Sequence, residues 1–163
     1  MPDANIALGA RILKDAAAVL VPGRAVATEA RRLLHVKRDR LRVVPLAPRA
    51  VFRPDALPAG DVERTRLGLP ARYAVYAGRF DARQDLPTLL EALASLAAAP
   101  RPGGVPADAW PPRVALVGAT PDDRAALSRA AARAGVADLL VYEQGLPEER
   151  LAGLVAGARV VLQ

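Results

Sequence analysis

Tyr73-Ala74-Val75-Tyr76-Ala77-Gly78-Arg79, followed by Asp85-Leu86-Pro87-Thr88-Leu89-Leu90, decides the fold. The apolar run reads as a buried strand, and Gly78 closes it. Asp85 is placed to cap a helix that carries Pro87 in its first turn. Leu86, Leu89, Leu90, Leu93 and Leu96 recur at the spacing of a helix packed on a sheet. The same rhythm repeats downstream. Val114 to Val117 is a strand that ends at Gly118. Thr120-Pro121-Asp122-Asp123 opens a helix with a capping box, and Gly135 stops it. Leu139 to Tyr142 is a third strand. Pro147-Glu148-Glu149 starts a helix whose acids complement its dipole and whose buried face is Leu151, Leu154 and Val155. Ala158 to Leu162 is a fourth apolar strand. Alternating strands and helices of this kind build βαβ units on a parallel sheet. Strands that are apolar throughout, not alternately, belong to a sheet covered on both faces.

Upstream the pattern is weaker but similar. Ile6 to Asp15 reads as a weak helix, and Ala17 to Val21 as a short buried strand that turns at Pro22-Gly23. Arg24 to Leu34 is helical, with Val26, Ala30, Leu33 and Leu34 on one face. Leu41 to Leu46 is a strand, with Pro45 near its end. Residues 47–70 are rich in proline and read as an interdomain linker, within which Asp61 to Leu67 forms one short helix. No tandem repeat is visible, which excludes a solenoid.

Composition removes several function classes. The chain has 163 residues and no cysteine, so disulfides and thiolate metal sites are excluded. A single histidine, His35, cannot supply a multi-histidine metal centre. No apolar stretch is long enough to span a membrane, and the first residues carry no export signal, so a cytoplasmic location is expected. The net charge is +6, with 21 arginines against two lysines. Six aromatic residues and arginines spread along the whole chain describe a solvated basic surface, not a nucleic-acid groove.

In a doubly wound sheet, ligands bind beyond the carboxyl ends of the strands. Three loops lie there: Gly78 to Asp85, Gly118 to Thr120, and Gln144 to Pro147. Glycine after a strand lets a ligand approach the backbone, although it also serves ordinary tight turns. Arg79 beside a helix start forms an anion site suited to phosphate.

Gly78-Arg79-Phe80-Asp81-Ala82-Arg83-Gln84-Asp85-Leu86-Pro87-Thr88-Leu89-Leu90-Glu91-Ala92 resembles a segment of the GT4-type retaining glycosyltransferases, which have the GT-B fold. Four further stretches resemble that family in its own order. Asp15 to Gly23 is similar to a strand near the end of the family's first domain. Arg42 to Pro54 is similar to its interdomain segment, and Val114 to Gly118 to the second strand of its second domain. Val141 to Val161 is similar to its third strand, following helix and fourth strand. The resemblance implies an α/β, Rossmann-like parallel sheet of GT-B type, present here in part. Residues 1–46 would be the end of the N-terminal, acceptor-side domain. Residues 47–70 would be the linker, and 71–163 the first four strands of the nucleotide-sugar domain.

The resemblance also implies roles for particular residues. Gly78 and Arg79 match the site of the donor diphosphate. The family's lysine falls on Gln84, which can donate a hydrogen bond but carries no charge; losing a charge-assisted contact costs on the order of 1.5–3 kcal/mol. Gly145 and Leu146 match the loop that receives the nucleotide base. No metal and no cofactor are expected, because the nucleotide-sugar is itself a substrate. The implied reaction moves a hexosyl group to a glycan or lipid-linked acceptor with retention, and the Pro45-Leu46-Ala47-Pro48 variant resembles mannosyl-transferring members. Peripheral contact with the inner face of the membrane is part of the same expectation. The family's paired glutamates and its acceptor-side histidine have no counterpart in these residues, and His35 falls at a solvent-exposed helix end. The expected product is therefore an inactive central fragment. Two other readings stand beside it: a non-catalytic binding module of the same fold in which Gln84 marks a decayed donor site, and a basic nucleic-acid or membrane-surface protein.

Overall fold

A computed structural model of the chain describes residues 8–9, 11–13, 15–53 and 57–162. The chain divides into two compact units, Met1–Pro48 and Arg49–Gln163.

The first unit holds strand β1 (Val19–Val21), helix α1 (Arg24–Leu34) and strand β2 (Leu41–Val43). The strands pair in parallel, Val19 opposite Leu41 and Val21 opposite Val43. Val19, Val21, Ala30 and Val36 form the small core, with Leu13, Ala16, Ala27 and Leu41 packed against it. Helix α1 ends at His35, which takes a left-handed φ of 53° where glycine is the usual choice. His35 is exposed at that helix end, as its sequence position implies. The helix expected over Ile6 to Asp15 lies partly outside the described residues; Leu8, Gly9, Arg11 to Leu13 and Asp15 are helical.

The second unit is built on strands β3 (Ala74–Ala77), β4 (Val114–Val117), β5 (Leu140–Glu143) and β6 (Val160–Leu162). Their order is β5-β4-β3-β6, and every pair is parallel. Helix α2 (Leu57–Arg66) precedes the sheet; α3 (Leu86–Ala98), α4 (Pro121–Arg133) and α5 (Glu148–Gly157) connect its strands. The residues read as a linker thus contain a helix of the second unit, longer than the expected Asp61 to Leu67, and α2 packs along α5.

Alternate strand positions face opposite layers. Ala74, Tyr76, Val114, Leu116 and Leu140 meet Leu86, Leu90, Leu93, Ala131 and Val136 on the α3–α4 face. Val75, Ala115 and Val117 meet Leu69, Tyr73 and Leu154 on the other face. All four residues of β4 are buried, which explains why the strand shows no polar alternation. The Tyr73 hydroxyl reaches into the second core and donates to the Leu154 carbonyl at 2.7 Å. Burial pushes its pKa up to about 12. Among the described residues no helix is long and apolar enough to cross a membrane.

The capping box is present: Thr120 Oγ1 accepts from the Asp123 N–H at 3.2 Å, and the Asp123 carboxylate accepts from the Thr120 N–H at 3.1 Å. Asp85 behaves differently from its expected role. It adopts a left-handed φ of 47°, and its carboxylate accepts from Thr88 Oγ1 at 2.8 Å instead of capping a backbone N–H. Short polar residues tolerate this conformation, and the preceding 3-10 turn over Ala82–Gln84 delivers the chain into α3 through it.

Candidate functional site

From β3 the chain moves outward to β4 and β5, then α5 returns it to β6 on the far side of β3. The direction of winding therefore reverses between β3 and β6. At such a reversal the loops beyond the carboxyl ends diverge and leave a crevice for ligand.

Glycines set the shape of the β3 and β4 exits. Gly118 has φ 99°, a conformation that favours glycine, and a Cβ there would stand 3.3 Å from the Gly78 carbonyl oxygen. A Cβ at Gly78 would stand 3.3 Å from the Tyr76 hydroxyl. That hydroxyl donates to the carbonyl of Arg79 and so pins the turn. Tyr76 also meets Phe80 edge to face, with ring centroids 5.2 Å apart. The two exits are thus held close, with little side-chain bulk between them.

Arg79 projects from this pinned turn. Its side chain is 82% exposed, and Nε lies 3.2 Å from the Asp81 carboxylate. Asp81 also accepts from the Arg83 N–H at 3.0 Å, which fixes the start of the 3-10 turn. An exposed pair of this kind is worth about 0–1 kcal/mol, so it yields readily to a stronger anion. Gln84 is exposed and lines a groove of about 330 Å³ with Tyr76, Leu86, Thr88 and Leu162, between the start of α3 and the end of β6. Arg79 does not line that groove.

Gly145 and Leu146 lie at the exit of β5, two strands away from β3, a lateral span of roughly 10 Å. Leu146 is half-buried against the core beneath α2 and α5, so its side chain anchors the loop. No atom outside its chain neighbours lies within 4 Å of a Cβ built at Gly145, which leaves that position open. The Gly118 N–H donates to the Glu143 carbonyl at 2.9 Å and ties the β4 exit to the β5 exit.

The sequence reading missed a group of charged residues beside this loop. Glu63 on α2 is 2% exposed and accepts from Arg66 at 2.9 Å and Arg150 at 2.5 Å. Arg66 also pairs with Glu143, the last residue of β5. Hydrogen bonding from Arg150, and then from Arg66, holds the Glu63 carboxyl below the usual carboxylate range despite its burial. Arg49 pairs with Glu148, the first residue of α5, at 2.5 Å. The Glu63–Arg66 spacing was the available signal; the other partners are far away in sequence. A second groove of about 310 Å³ lies between α4 and the end of β5, where the Arg124 guanidinium sits 5.4 Å from the centroid of the Tyr142 ring.

Strand order, parallel pairing and helical layers define a Rossmann-like α/β fold of GT-B type. Solved structures similar to this chain include a sucrose-phosphate synthase and two glycosyltransferases. Sucrose-phosphate synthase from Thermosynechococcus elongatus superimposes with a TM-score of 0.73 at 24% identity, over 98% of this chain and 37% of its own. A glycosyltransferase from Rickettsia africae gives a TM-score of 0.67 at 13% identity, over 88% of this chain and 37% of its own. WaaG, a glycosyltransferase involved in lipopolysaccharide biosynthesis, gives 0.58 at 14% identity, over 86% of this chain and 42% of its own. The chain therefore spans well under half the length of these proteins. No family model matches the sequence, and no curated protein does.

Proposed function

We propose that the chain is the central part of a nucleotide-sugar-dependent glycosyltransferase and carries the diphosphate corner of its donor site. One observation carries this reading: an exposed arginine on a glycine-opened turn at the exit of β3, where the winding of a parallel sheet reverses. Arg79 would bind the donor diphosphate and, with the positive end of α3, stabilise charge developing on it as the glycosidic bond breaks. Gln84 would add a neutral hydrogen bond from the adjoining groove. The base would lie toward Gly145 and Leu146, a span that an extended nucleoside diphosphate covers. The donor sugar would pass with retention to a glycan or lipid-linked acceptor. No metal or other cofactor enters this scheme.

The division at Pro48 supports assigning residues 1–46 to the acceptor-side domain and 71–163 to the donor domain, with α2, inside the 47–70 segment, belonging to the donor domain as well. Arg24, Arg31, Arg32, Lys37 and Arg38 are exposed on α1 and the loop after it, which favours peripheral contact with an anionic membrane.

Calorimetric titration with uridine, guanosine and adenosine diphosphates, beside the matching nucleosides, tests the reading. One diphosphate is expected to bind selectively and its nucleoside at least tenfold more weakly. Equal binding of nucleoside and diphosphate, or no binding at all, contradicts it.

A further inference from the structure

The loop Gln144–Pro147 is clamped at both ends by one helix. Before the loop, Glu143 pairs with Arg66 of α2. After it, Arg150 of α5 pairs with Glu63 of α2 at 2.5 Å. Glu63 and Arg66 pair with each other at 2.9 Å, one helical turn apart. Ion pairs and main chain together close a ring: Glu63, Arg66, Glu143, the loop, Arg150 and back to Glu63.

The ring has an asymmetric energy. The Arg66 and Arg150 side chains are 44% and 42% exposed, and water can serve them. Glu63 is 2% exposed and has no comparable alternative to its two arginines. The buried carboxylate is therefore the fixed point, and the loop ends are held to it. Leu146 packs beneath the loop and Gly118 N–H holds the Glu143 carbonyl, so the backbone of the loop has little freedom left.

We propose that α2 is a clamp that pre-organises this loop for the nucleoside half of the donor, with Glu63 and Arg66 as positioning residues. The inference rests on the donor-site reading above. A loop ordered before binding spares the complex the entropy of ordering it afterwards. The clamp acts at the β5 exit and leaves Arg79, at the β3 exit, untouched.

That separation defines the test. The native chain, Arg66→Met and Glu143→Gln are titrated with the nucleoside diphosphate that binds best and with inorganic pyrophosphate, which lacks the nucleoside half that the clamped loop would receive. Each variant is expected to bind the nucleoside diphosphate roughly five- to tenfold more weakly, with pyrophosphate affinity within twofold of native. Parallel loss of both ligands indicates general loosening of the fold, and unchanged binding of both indicates an idle network; either overturns the clamp. Should Arg66→Met fail to fold, Glu143→Gln decides alone, because it leaves Glu63 with both arginines. Failure of the native chain to bind nucleoside diphosphate above pyrophosphate overturns the donor reading itself, and the clamp with it.

Discussion

Arg79→Ala is expected to weaken nucleoside diphosphate binding about 10- to 100-fold and to leave thermal stability nearly unchanged. The guanidinium is 82% exposed and its one described ion partner is the Asp81 carboxylate. Removing it from the unliganded protein costs little, since exposed pairs contribute about 0–1 kcal/mol. Removing it from the complex forfeits a charge-assisted contact worth on the order of 1.5–3 kcal/mol. Gln84 carries no charge and cannot replace it. Isothermal calorimetry gives the affinity, and a melting curve gives the stability. An affinity within twofold of native, or a loss explained by unfolding, would place the diphosphate elsewhere.

The largest stability effect is expected where the sequence drew no attention. Arg66→Met with Arg150→Met keeps the aliphatic cover over Glu63 but removes both cations. A buried carboxylate without a partner costs about 3–5 kcal/mol at neutral pH. The pH dependence fixes the cause. In the native protein the Glu63 pKa is lowered, so its contribution is present above the ordinary carboxylate value and is lost as pH falls through the folded one. In the double variant burial raises the pKa, so stability falls as pH rises above the ordinary value. The gap in denaturant midpoint should be widest near pH 7 and close toward pH 4. A gap that stays constant with pH, or one that corresponds through the m-value to under about 1 kcal/mol, would mean that Glu63 does not depend on these arginines.

Much of the second unit was legible because its strands are buried on both faces. Val114 to Val117 could hardly be anything but an interior strand once glycine and a capping box followed it. Boundaries shifted where the chain inserted short turns: Leu139 closes a 3-10 turn instead of opening β5. Asp85 was read as a cap because aspartate before a proline-containing first turn usually is one. A left-handed backbone at that position depends on the preceding turn, which composition does not reveal. The arginine on the glycine turn could be found from local spacing. Its partner Asp81 could not be inferred, since two residues of separation fix no side-chain direction. The clamp was hidden for a different reason. Arg66 meets Glu143 across 77 positions and Arg150 meets Glu63 across 87, and only the packing of α2 along α5 brings them together.

Amide chemical-shift mapping during a nucleoside diphosphate titration tests the donor site most directly. The account predicts shifts concentrated at Gly78 to Thr88, Gly118 to Thr120 and Gln144 to Pro147, the three loops at the carboxyl edge of the parallel sheet. Shifts confined to the opposite edge, around Arg72, Trp110 and Arg159, or spread evenly over the basic face of α1, would contradict it.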